Sequence, residues 1–121
     1  MDMLELLESH PKTALVVKQW FLDKMLDSIE NESVPEDFKQ MVREQGIDND
    51  KVAGVLEGAP RSLFDVFDSQ KVYIEIHVNS PGKVFFTYSI NNVVGEFTSD
   101  IRKETETEAV IEAFKQLEAK L

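Results

Sequence analysis

The chain contains no cysteine. That removes disulfides, thiolate nucleophiles and sulfur-bound zinc together, and it suits a reducing compartment. Bases are scarce as well: 13 lysines and arginines stand against 23 acids, for a formal net charge of −10. Phosphate backbones are held by lysine and arginine displacing counterions, so direct nucleic-acid binding is disfavoured and a basic protein is the partner such a field attracts. No apolar run approaches the roughly 20 residues of a membrane span. The opening residues Met1-Asp2-Met3-Leu4-Glu5-Leu6-Leu7-Glu8 are too acidic and too short for a secretory signal. A cytoplasmic protein without membrane association is therefore expected.

The motifs GxGxxG, GxxxxGKS or GxxxxGKT, HExxH and GxSxG are missing too. Phosphate cradles, zinc proteases and serine hydrolases thus have no support, and no cofactor, metal or catalytic residue is expected. Asp48-Asn49-Asp50 resembles the start of a calcium loop, but Ala53 and Ala59 stand where the loop needs glycine and glutamate.

What is present is a chain of 121 residues, 42% of them hydrophobic, enough for one domain with a modest core. The apolar positions are periodic, and the pattern predicts one α+β domain over residues 1–121. A short helix over 3–9 ends at His10-Pro11, because the residue before proline avoids the α region. From about 12 to 30, Leu15, Val16, Gln19, Leu22, Met25, Leu26 and Ile29 fall at helical spacing and predict one inward face. Ser33-Val34-Pro35-Glu36 fits a capping box opening a second long helix, which buries Phe38, Met41 and Val42 and stops at Gly46. Asp48 is expected to cap a shorter one with Val52, Val55 and Leu56 inward, ended by Gly58-Ala59-Pro60, and a brief helix is expected over 61–68.

After Gln70 the period changes from 3.6 to 2, the signature of strands. A three-stranded antiparallel meander is predicted at about 71–79, 83–90 and 93–99. Asn91-Asn92 suits the second turn, since asparagine tolerates positive φ, and this pairs Ile90 with Val93, Tyr88 with Gly95 and Phe86 with Phe97. The first turn must contain an odd number of residues, such as Ser80-Pro81-Gly82, to keep Ile74, Ile76 and Val78 on the face of Phe86, Tyr88 and Ile90. That three-residue loop would set Val78 beside Val84 and Ile76 beside Phe86. Thr105-Glu106-Thr107-Glu108 reads as a capping box for a last helix, about 106–120, whose stripe of Val110, Ile111, Phe114, Leu117 and Leu121 covers the sheet.

Charge is spread unevenly. Residues 1–70 hold 15 acids and 7 bases, whereas 71–121 hold 8 and 6, and 23–50 alone hold nine acids against three bases. The functional expectation follows from that asymmetry: a small non-catalytic protein-binding or regulatory domain whose acidic helical surface meets a basic partner. Its candidate contacts are Asp23, Asp27, Glu30, Glu32, Glu36 and Asp37, with Trp20 and Phe85 as aromatic anchors. A sharper form is mimicry of nucleic acid, which demands one continuous exposed stripe of carboxylates over 23–50. The alternative is a small enzyme or ligand-binding protein using the polar side of the first strand, Tyr73, Glu75 and His77, with Thr87, Ser89 or Glu96 as companions. Val93-Val94 on an edge strand offers backbone groups to a second copy, which points to a homodimer.

Overall fold

Asp2 opens the fold by accepting the Glu5 amide on its side chain at 2.8 Å, capping α1, Met3–Ser9. His10 leaves the helical region at φ −128°, ψ 68°, as a residue before proline should, and its Nδ1 lies 2.9 Å from the Leu6 carbonyl oxygen. Pro11 then begins α2, Pro11–Glu30, where a missing N–H costs nothing. The structure, a computed structural model, describes residues 2–30, 35–37, 40, 44, 46, 48–80 and 82–121. The capping serine Ser33, its neighbour Val34, and Phe38, Met41 and Val42 of the second predicted helix lie outside the described residues. Glu36, Asp37, Gln40 and Glu44 within that stretch are helical, and Gly46 has the left-handed φ of +70° expected of a helix stop.

α3 is Asn49–Gly58, followed by a 3-10 turn, Pro60–Leu63, and α4, Phe64–Ser69. Asp48 precedes α3 but makes no side-chain cap bond. Three strands follow, β1 (Ile74–Asn79), β2 (Phe85–Ile90) and β3 (Val93–Val94), in the antiparallel order β1-β2-β3, and α5 (Arg102–Lys120) closes the chain. Helix α5 packs on β2, β1, α2 and the 3-10 turn, so it is the common wall of the core. Phe114 on α5 meets Phe67 on α4 edge to face at 5.4 Å, both fully buried, with Leu6, Leu7, Val17, Leu56 and Leu63 around them. The α+β class, the meander and the C-terminal helix on the sheet are as the periodicities predict.

Several boundaries and faces differ from the sequence reading. Among the described side chains of α2 the buried ones are Thr13, Ala14, Val17, Leu22 and Leu26, while Leu15 and Gln19 point outward; the Met25 and Ile29 side chains lie outside the described residues. The small residues Thr13 and Ala14 let α2 approach α5, and that close contact turns Leu15 to solvent. Val55 on α3 is likewise exposed.

The first strand starts at Ile74 rather than 71 because Lys71 turns left-handed, φ 63°, and the Val72 amide donates to the Phe67 carbonyl. The β1–β2 loop spans 80–84. Its odd length preserves the predicted faces, but the partners are Val78 with Phe86, Ile76 with Tyr88 and Ile74 with Ile90. Val84 thus lies outside the ladder, and the expected pairs Val78–Val84 and Ile76–Phe86 are each displaced by two residues along β2.

The second turn is as predicted. Asn91 and Asn92 take φ 51° and 67°, and Ile90 pairs with Val93. The Gly95 amide still donates to the Tyr88 carbonyl at 2.9 Å, yet regular pairing ends at Val94 and resumes as a single bridge between Phe86 and Ser99. Phe97 therefore does not pair with Phe86. Two extra residues bulge out between the contacts, so the third strand is far shorter than 93–99.

Helix α5 begins at Arg102, not after Thr105. Thr105 is buried and its hydroxyl donates to the Phe86 carbonyl at 3.4 Å, while the first turn is fastened by Ser99. The Ser99 hydroxyl accepts the Ile101 amide at 3.0 Å and donates to Glu104 at 2.7 Å.

Candidate functional site

Helix α2 presents the first candidate surface. Leu15 is 65% exposed, and with Val16, Gln19, Trp20 and Asp23 it lines a groove of about 490 Å³ that ends at Ser69 and Gln70. Trp20 is half-buried. Its indole meets Phe21 edge to face at 5.2 Å, and the Lys24 ammonium sits 5.3 Å from the ring centroid. Asp23 and Asp27 are exposed beyond it, with Asp23 accepting the Gln19 side-chain amide at 2.9 Å. Glu36 and Asp37 are also exposed, whereas the Glu30 side chain and Glu32 lie outside the described residues.

The polar side of the sheet brings Glu75, His77 and Ser89 together. Register pairs Glu75 with Ser89 and His77 with Thr87, and His77 Nε2 lies 2.9 Å from Ser89 Oγ and 3.9 Å from Glu75 Oε2. Both neighbours face the same ring nitrogen. A nucleophile relay needs the acid on the opposite nitrogen, where it orients the ring, so this constellation lacks that order. Ser89 is buried beneath the imidazole, and Asn79 donates to Thr87 at 3.1 Å, so the row works as a cross-strand hydrogen-bond ladder. Tyr73 is exposed at the start of this face, and Phe85 is half-buried at its far end opposite Asn79. His77 lines neither the α2 groove nor the two hollows between β3 and α5.

A third surface, not foreseen from the sequence, lies between β3 and α5. Tyr88, Ile90, Gly95, Glu96, Glu108 and Glu112 line a cavity of about 420 Å³, with Gln116 also on its wall. Phe97 and Glu108 continue into a neighbouring hollow of about 590 Å³ bounded by Ile101, Lys103, Glu104 and Thr107. The Tyr88 ring crosses Gly95 so closely that a Cβ there would overlap Tyr88 Cζ. Only glycine admits the ring. Burial, reinforced by the negative fields of Glu112, Glu108 and Glu96, raises the phenol pKa above its ordinary 10.0 and keeps it protonated.

Glu108 and Glu112 are one helical turn apart, and Gly95 faces Tyr88 in the predicted hairpin. The sequence thus contained both halves of this site. What it lacked was the bulge after Gly95, which brings Glu96 and Phe97 over α5.

Val93 and Val94 form the free edge of the sheet, 70% and 66% exposed. Asp65 and Asp68 are exposed on α4, and among the described residues no group of three or more histidine, aspartate or glutamate side chains is placed to hold a metal ion. Among the described residues, no helix is long and apolar enough to cross a membrane. Comparison with protein-family models, with characterised proteins and with solved structures gave no match for this chain.

Proposed function

We propose that this protein is a non-catalytic binding module that takes a basic partner protein on the outer face of α2. The observation that carries the reading is Leu15, 65% exposed beside Trp20 in a groove whose rim holds Asp23. Leaving a leucine in water forgoes about 1.5–3 kcal/mol that burial would supply, and a partner covering the groove recovers it. An indole next to it is the side chain that most often anchors interfaces. The exposed carboxylates Asp23, Asp27, Glu36 and Asp37 supply the complementary field, which raises the encounter rate with a basic surface and sets its orientation. Mimicry of nucleic acid is the sharper form, and it requires the acids of 23–50 to form one continuous exposed stripe.

Affinity capture from native cell extract, at low and high salt, tests this with two variants. Wild type should retain a basic protein at low salt and release much of it at high salt. Asp23→Lys with Asp27→Lys should abolish the low-salt capture, and Leu15→Asp should weaken it at both salts. Capture that is indifferent to all three substitutions would sink the assignment to α2.

A further inference from the structure

We propose that the cleft between β3 and α5 is a binding site for an organic cation, an alkylguanidinium or alkylammonium group. The site is separate from the α2 surface and stands independently of the partner assigned there.

The Tyr88 side chain is 8% exposed and lines the cleft, and among the described residues its hydroxyl has no hydrogen-bond partner. The hydroxyl still touches solvent at the cleft, because among the described residues Asn49 Oδ1 is the fully buried side-chain polar atom without a partner, and a ligand entering the cleft takes the place of that water. A phenol kept protonated and left unpaired at the wall of a cavity is set to bond whatever enters it.

The charge of the cleft states the sign of that ligand. Glu96, Glu108 and Glu112 all line it, and among the described residues no lysine or arginine forms an ion pair with any of them. Glu112 receives only a long bond from the Gln116 amide, at 3.5 Å. An anion is repelled here. The carboxylates are also not gathered tightly enough to hold a bare metal ion. A guanidinium presents five N–H donors in a plane and an ammonium three, so either can reach separated carboxylates that a small ion cannot bridge.

Shape agrees with this. A volume of about 420 Å³ is within the range of small-molecule sites, and Ile90 and Phe97 give an alkyl chain an apolar wall. The Tyr88 ring adds a face on which a cation is attracted.

Two sources share this chemistry, a free alkyl amine and the side chain of an arginine or lysine in another protein. The test is a titration of 15N-labelled full-length protein, followed by NMR, with butylguanidinium, butylammonium, the neutral isostere butylurea, agmatine and an arginine tripeptide capped at both ends. Saturable shifts at the Gly95 and Glu96 amides and the Gln116 side chain are expected with the cations, weaker at high salt, and none with butylurea. Tyr88→Phe and Glu112→Gln should each weaken butylguanidinium binding about tenfold, with the rest of the spectrum unchanged. Glu108→Gln serves where Glu112→Gln perturbs folding. Tighter binding of agmatine than of the peptide assigns a free amine, and the reverse assigns a protein side chain; either supports the site. Equal shifts with butylurea, no saturation with any cation, or unchanged binding in Tyr88→Phe together with a glutamine variant would overturn it.

Discussion

Glu118 on α5 caps the amino end of α2: its Oε1 accepts the Thr13 amide at 2.8 Å and its Oε2 the Lys12 amide at 3.3 Å. The first amides of a helix have no partner within it, and here the acceptor comes from the other end of the chain. Thr13 strengthens the joint by donating its hydroxyl to the Phe114 carbonyl at 3.4 Å. A local cap stabilises one helix, whereas this one also ties α2 to α5.

That joint has a pH signature. Desolvation pulls the Glu118 pKa upward, but the Thr13 and Lys12 bonds and the nearby His10 outweigh it and leave the group below its ordinary 4.5. A carboxylate with a lowered folded pKa contributes stability that is present above pH 4.5 and fades as pH falls through the folded value. Glu118→Gln should therefore lower Tm at neutral pH, and the gap to wild type should close on acidification below pH 4.5. A gap independent of pH in thermal melts would show that the charge is not involved.

Gly95→Ala should be among the costliest small substitutions in the chain. The new methyl would overlap Tyr88 Cζ, so the ring or the strand must shift. A loss of about 1–3 kcal/mol in urea unfolding is expected. The same change in a Tyr88→Leu background should cost much less, and that coupling in a double-mutant cycle is the decisive reading.

Tyr88→Phe is expected to change stability little, within about 0.5 kcal/mol, since the hydroxyl it removes has no partner among the described residues and keeps contact with solvent. The alkaline limb gives the second measurement. A phenol whose folded pKa is raised contributes fully below pH 10.0 and loses that contribution as pH rises through the folded value. Wild type should lose stability over that interval while Tyr88→Phe loses less, by chemical denaturation at stepped pH.

Thr105 distinguishes a cap from a buried residue. At a helix start, serine replaces threonine at little expense. In its actual place, buried with its hydroxyl on the Phe86 carbonyl, Thr105→Ser should cost about 0.8 kcal/mol for the lost methyl. Thr105→Val should cost about 0.5–1.5 kcal/mol for the lost bond. Denaturant midpoints of the two variants suffice.

Much of the architecture was legible because it depends on short-range periodicity. The 3.6-residue pattern of α5 and the alternation through Ile74, Ile76, Tyr88 and Ile90 place those residues in the core they occupy. Asn91-Asn92 specified its turn through positive φ. The cleft was less legible. Tyr88 read as an ordinary core residue and Glu108 as part of a capping box, because nothing local says that Glu96 and Phe97 bulge over α5.

The sequence by itself determined the class of most described segments, the parity of the hairpins and the acidity of the helical half, since these rest on side-chain spacing, turn chemistry and charge counting. Tertiary structure decided which flank of α2 is buried, where α5 begins and what Tyr88 faces. Those depend on contacts between residues far apart in the chain. Leu15 faces water because α2 lies against α5 through Thr13, and Thr13 is held there by Glu118.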